Sequence, residues 1–65
     1  MAKQSLIRLP EVKARTGRSR SAIYADIQAG DFPKPVPIGT RAVAWVEAEI
    51  DEYIERQIQR RAGVV

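Results

Sequence analysis

The chain has 65 residues, carries 11 Lys and Arg against 8 Asp and Glu for a net charge of +3, and contains neither cysteine nor histidine. A single small domain of this size buries only roughly 60% of its unfolded surface. Without thiolates or imidazoles it has no disulfide framework, no thiolate zinc site and no customary general base, which argues against an enzyme and against a bound metal or cofactor.

A structured domain is expected over residues 5–60, with flexible ends at 1–4 and 61–65. Met1-Ala2-Lys3-Gln4-Ser5 lacks the apolar stretch of a signal peptide, and no apolar run approaches the roughly 20 residues of a membrane span, so a soluble cytoplasmic protein is expected. Pro10 suits the first turn of a helix, where its missing N–H is harmless, and Glu11 suits the positive end of the helix dipole. This first helix is predicted from about Pro10 to Arg15, with Leu9 and Val12 facing the core and Thr16-Gly17 ending it. Lys13 and Arg15 on it are expected to meet backbone or water.

Three or four residues later a second helix is predicted, with Ser19 as N-cap, Ala29 near its end and Gly30 as a left-handed stop. Ala22, Ile23 and Ile27 form its inward stripe. Arg20, Ser21, Tyr24 and Gln28, at i, i+1, i+4 and i+8, form an outward face that is polar and carries one cation. The next segment, Asp31-Phe32-Pro33-Lys34-Pro35-Val36-Pro37, has three alternating prolines, which block both helix and central-strand pairing. Phe32 is expected to anchor it to the core.

Ile38, a Gly39-Thr40 turn and Arg41-Ala42-Val43-Ala44-Trp45 read as a small hairpin with Arg41 near its tip, a candidate wing. Pro37 beside its first strand predicts an edge feature that belongs to no larger sheet. The last helix is predicted from Val46 or Glu47 to about Arg60. Its first turns are acidic, and Ile50, Tyr53, Ile54, Gln57 and Ile58 form a narrow stripe read as the third wall of the core. Glu52 to Arg56 and Glu55 to Gln59 are expected as surface pairs. Trp45 and Tyr53 are read as core residues.

Charge is unevenly spread. Residues 1–41 hold eight cations against three acids, a balance of +5, and the remainder has a balance of −2. The first two-thirds is therefore expected to meet an anion. Thr16-Gly17-Arg18-Ser19-Arg20-Ser21-Ala22-Ile23-Tyr24 carries most of the functional information. A turn, a capped helix start and two arginines there have the geometry of a DNA-binding helix-turn-helix. A helix over Ser19 to Ala29 would be about 16 Å long, enough to lie across a major groove about 12 Å wide.

Four motifs occur in register: Arg8-Leu9-Pro10-Glu11-Val12; Thr16-Gly17-x-Ser19-Arg20-Ser21-x-Ile23-Tyr24; Gly30-x-Phe32-Pro33-x-Pro35; and Gly39-x-Arg41-Ala42-Val43-x-Trp45. With them the chain resembles the AlpA family of prophage regulators from residue 8 to about 58. The resemblance implies a mainly α fold with a small β-hairpin wing, a winged helix-turn-helix similar to excisionases and to the DNA-binding heads of MerR-type regulators. It implies that Ser19 to Ala29 is the recognition helix and Gly39-Thr40-Arg41 the wing. It also implies a transcription factor of a prophage or other mobile element, or a directionality factor that bends DNA during excision. Two positions depart from the family pattern: residue 18, commonly apolar, is Arg18, and residue 25, commonly basic or polar, is Ala25.

The candidate DNA-contacting residues are Arg18, Ser19, Arg20, Ser21, Tyr24 and Gln28 from the turn and helix, Lys34 from the proline segment, and Thr40 and Arg41 from the wing. Arg20, in the first turn of an otherwise uncharged face, is the residue expected to read base or phosphate. Arg18 can touch phosphate or only water. Tyr24 can reach the nucleic acid or lay its ring on the core with its hydroxyl at the rim. Lys34 is held on a stiff extended segment, and Arg41 either enters a minor groove or keeps an edge hairpin soluble. The acids from Glu47 to Glu55 are read as a solvated face and not a metal site, since a helix start favours acids and no histidine accompanies them.

These readings predict a sequence-specific double-stranded DNA-binding protein at the nucleoid. Candidate further partners are an integrase, RNA polymerase and other copies of the chain on the same DNA. The rival reading is a protein-interaction adaptor, antitoxin-like or integrase-binding, that works through the acidic last helix.

Overall fold

The computed structural model describes residues 4–62. Six elements follow one another: β1 (Leu6–Ile7), α1 (Leu9–Thr16), α2 (Arg20–Ala29), β2 (Val36–Pro37), β3 (Val43–Val46) and α3 (Glu47–Ala62). The mainly helical fold with a small antiparallel sheet is that of a winged helix-turn-helix. Of the ends expected to be flexible, most residues lie outside the described ones; Gln4 has no regular structure, and Arg61 and Ala62 continue α3 two residues past its expected end.

Both helix stops are glycines in the left-handed region, Gly17 at φ 71° and Gly30 at φ 82°. An L side chain there would bring Cβ too close to a carbonyl, which is why glycine occupies both. The Gly17 N–H donates to the Lys13 carbonyl at 2.8 Å, and the Thr16 hydroxyl donates to the Val12 carbonyl at 2.8 Å, so the last turn of α1 is tied from main chain and side chain.

The sheet corrects the expected isolated hairpin. Its order is β1-β3-β2, with Leu6 opposite Val46, Ile7 opposite Trp45, Val36 opposite Ala44 and Pro37 opposite Val43. Pro37 confines β2 to an edge, as a missing N–H requires, but β3 contains no proline and pairs along both its sides. The Glu47 N–H donates to the Ser5 carbonyl at 2.7 Å and extends the β1 pairing to the start of α3. The wing turn differs as well. Ile38 N–H donates to the Ala42 carbonyl at 2.9 Å, which makes Gly39-Thr40-Arg41 a three-residue loop and moves Arg41 out of the strand. Two-residue hairpin turns need positive φ at a central position. Among the described residues only Gly17 and Gly30 have it, so Gly39 does not.

The core comprises Val12, Ile23, Phe32, Trp45, Ile50 and Tyr53, one or two residues from each helix, the proline segment and β3. Phe32 packs on Tyr53 with ring centroids 4.6 Å apart, which fastens the proline segment to α3. Trp45 is fully buried, and its indole N–H donates to the Pro33 carbonyl at 3.0 Å, so the largest core side chain leaves no donor unpaired. The α3 stripe is a core wall only in part: Ile50 and Tyr53 are buried and Ile54 packs against them, but Ile58 is 44% exposed because α3 outruns the body.

Arg15, although exposed, does not meet water alone. It reaches three carboxylates, Nε to Glu11 Oε2 at 2.8 Å, Nη2 to Glu47 Oε2 at 2.8 Å and Nη1 to Asp51 Oδ1 at 3.5 Å, and so joins α1 to the start of α3. Its hydrogen bonds with Glu11 and then Glu47 raise its pKa above the ordinary guanidinium value. Of the expected surface pairs, Glu52 to Arg56 forms at 3.2 Å, while Glu55 to Gln59 is not among the hydrogen bonds of the described residues.

Candidate nucleic-acid interface

Three residues, Gly17 to Ser19, link α1 to α2. Gly17 reverses the chain, and the Arg18 N–H donates to the Thr16 hydroxyl at 3.3 Å. Ser19 then caps α2: its Oγ accepts the Ala22 N–H at 3.2 Å, and its carbonyl accepts the Ile23 N–H at 2.9 Å. Its hydroxyl is thus engaged in holding the helix start.

On α2, Ile23 is buried and Ala22 and Ile27 are half-buried, as the inward stripe requires. Ser21, Ala25, Gln28 and Ala29 are exposed and occupy the opposite side. Arg20 flanks this face with its guanidinium 5.7 Å from the centroid of the Tyr24 ring, a cation–π contact. Tyr24 meets Trp45 edge to face, centroids 6.3 Å apart at 67°. A continuous stack therefore runs from Arg20 through Tyr24 to Trp45, and by the indole hydrogen bond to Pro33. The outer face of the helix is indexed to the sheet and to the proline segment by aromatic packing.

Arg18 in the turn and Arg20 at the start of α2 have separate fates. Arg20 is exposed. Arg18 folds back onto α2, where its Nη2 lies 2.6 Å from Asp26 Oδ2, and its Nε is buried without a hydrogen-bond partner. The pair neutralises the one acid on α2 and ties the turn to the middle of that helix. Sequence spacing alone could not reveal this contact, since eight positions separate the two residues and the turn between them sets their approach.

Lys34 follows the Trp45-bound carbonyl of Pro33 and borders an open groove of about 1190 Å³ that Glu49, Glu52 and Arg56 of α3 line on the other side. Thr40 and Arg41 stand exposed at the wing tip. Arg8, Lys13, Arg20, Lys34 and Arg41 have no carboxylate within salt-bridge distance among the described residues, whereas Arg15 and Arg18 do. Lys13, on α1, is expected from sequence to meet backbone or water; for Arg8, just before α1, only its place in the basic two-thirds points to an anion. Among the described residues, no cluster of acids is arranged to hold a metal ion, and no helix is long and apolar enough to cross a membrane.

Residues 5–58 match the family described as prophage CP4-57 regulatory protein (AlpA). The DNA-binding transcriptional activator AlpA of Escherichia coli (strain K12) is 36% identical over 58 residues, 80% of this chain and 83% of that protein. An uncharacterized protein, ORF88, of Enterobacteria phage P4 is 36% identical over 61 residues, 94% of this chain and 69% of that protein. The matched span runs from the residue before β1 to Ile58 on α3, and thus takes in the turn, α2, the proline segment and the wing. The chain belongs to the AlpA family of prophage regulatory proteins.

Proposed function

We propose that the chain is a sequence-specific double-stranded DNA-binding regulator of a prophage or related mobile element, with α2 in a major groove and the Gly39-Thr40-Arg41 tip on the neighbouring minor groove or phosphates. The observation that carries this reading is the exposed, uncharged outer face of α2, flanked by Arg20 and presented by a glycine turn and a serine cap. The ten residues of α2 span about 15 Å, longer than a major groove about 12 Å wide is across. A relative that shares 36% of the aligned residues is a DNA-binding transcriptional activator, which supports the same partner here.

In this reading Arg20, Ser21 and Gln28 face base edges, and Tyr24 holds Arg20 from behind with its hydroxyl at the rim. Lys34, Thr40 and Arg41 meet the backbone or minor groove. Ser19 acts by capping and Arg18 by bracing the turn through Asp26. If four of Arg8, Lys13, Arg20, Lys34 and Arg41 reach phosphates, log K falls against log salt with a slope of about −3.6. An anisotropy titration over a salt series measures it; no affinity for any duplex, or affinity indifferent to salt, would sink the reading. Footprinting on the surrounding DNA separates the two regulatory roles, a site beside a promoter indicating transcription control and clustered sites in a recombination arm indicating excision control.

A further inference from the structure

We propose that one flank of α3 is a contact between two copies of this chain, which pair antiparallel about a two-fold axis midway between Ile54 and Ile58. Asp51, Ile54, Ile58 and Arg61 are successively three, four and three residues apart, the spacing that brings side chains to one seam of a helix. The seam has an acid at one end, two isoleucines in the middle and a base at the other. Laid antiparallel on a second copy, it matches itself: Asp51 meets Arg61 and Ile54 meets Ile58, each twice. Laid parallel and in register, it sets acid on acid and base on base.

Two further observations favour a second copy as the occupant. Arg15 gathers Glu11, Glu47 and Asp51 at the acidic end of the seam, so three carboxylates share one guanidinium and two negative charges there remain uncompensated. Arg61 of the other copy would bring a cation to that cluster, and it has no carboxylate partner within its own chain among the described residues. Beside the cluster, a groove of about 330 Å³ runs between the end of α1 and α3, lined by Arg15, Thr16, Arg18, Tyr53, Ile54, Gln57 and Ile58. It offers a seat for the second copy's Ile58, which is 44% exposed in the single chain. Three helical turns make a short contact, smaller than the roughly 800 Å² per partner of stable interfaces, so the dimer is weak in free solution and gains when two copies sit on adjacent DNA sites.

Sedimentation equilibrium over a wide concentration range, without DNA, tests the contact independently of the DNA-binding reading. The expected result is a concentration-dependent rise toward dimer mass. Asp51→Arg and Arg61→Asp should each be monomeric, since each sets like charges face to face. An equimolar mixture of the two should dimerise again, and the double variant carrying both changes should dimerise by itself. Circular dichroism checks that each variant is folded; if Asp51→Arg is lost through its proximity to Arg15, Arg61→Asp and the double variant still decide. A wild-type chain that stays monomeric throughout, or single variants that associate as well as wild type, would overturn the proposal.

Discussion

Between Thr16 and Ile23 the chain is tied at each step, by the Thr16 hydroxyl, the Gly17 and Arg18 N–H groups, the Ser19 cap and the Arg18–Asp26 pair. Between Ile38 and Ala42 one backbone hydrogen bond closes the wing, and Gly39, Thr40 and Arg41 are exposed with no side-chain partner among the described residues. Two parts of one proposed interface are thus built in opposite ways. The turn is held in a fixed geometry before any ligand arrives, whereas the tip keeps its freedom and would pay for ordering on contact. Substitutions in the turn should therefore register in stability, and those in the wing only in binding.

The largest expected effect lies outside both regions, in the core. Trp45→Ala, which removes the support of both Tyr24 and Pro33, should cost about 3–5 kcal/mol and leave little folded protein in a thermal melt. Arg20→Ala should leave the melting temperature nearly unchanged but cost about 1–3 kcal/mol of specific DNA affinity; equal losses on cognate and random duplex would contradict a reading role. Gly17→Ala should destabilise by about 1–2 kcal/mol because φ is 71° there, although no atom lies within 4 Å of the added carbon. Gly39→Ala should stay within about 0.5 kcal/mol, since its added carbon meets only the Ala42 Cβ at 3.8 Å and its φ is not positive.

The remaining tests divide Arg18 from Arg41. Arg18→Ala should lower stability by about 1 kcal/mol or less, the scale of a partly exposed pair, without changing the salt slope of DNA binding. Arg41→Ala should leave stability alone and make that slope shallower by about 1. If instead Arg18→Ala changed the slope and Arg41→Ala changed the melt, the contrast between a braced turn and a free tip would be reversed.

Much of this was legible in the residues because it depends on local rules. The two glycine stops, the Ser19 cap, the proline segment and the inward placing of Ile23, Phe32, Trp45 and Tyr53 follow from backbone sterics and hydrophobic period, and the structure shows each of them. Features that need two distant segments were not legible. Leu6-Ile7 is too short to signal a strand until β3 offers its open side. Only the Glu11 part of the Arg15 network has an i, i+4 signature; Glu47 and Asp51 come to it through the packing of α1 beside α3.

What the sequence determined by itself is where α1 and α2 stop and where α2 is capped, which side chains are apolar enough to be buried, and how charge divides along the chain. Propensity, capping and φ restrictions act over a few residues, so they can be read from a few residues. The tertiary structure decided which charges remain available. It spent Arg15 and Arg18 on carboxylates within the chain, left Arg20 and Arg41 exposed, and set Ile58 beyond the edge of the core. An ion pair depends on the distance between groups that only the packed fold brings together, and no spacing along the chain encodes that distance.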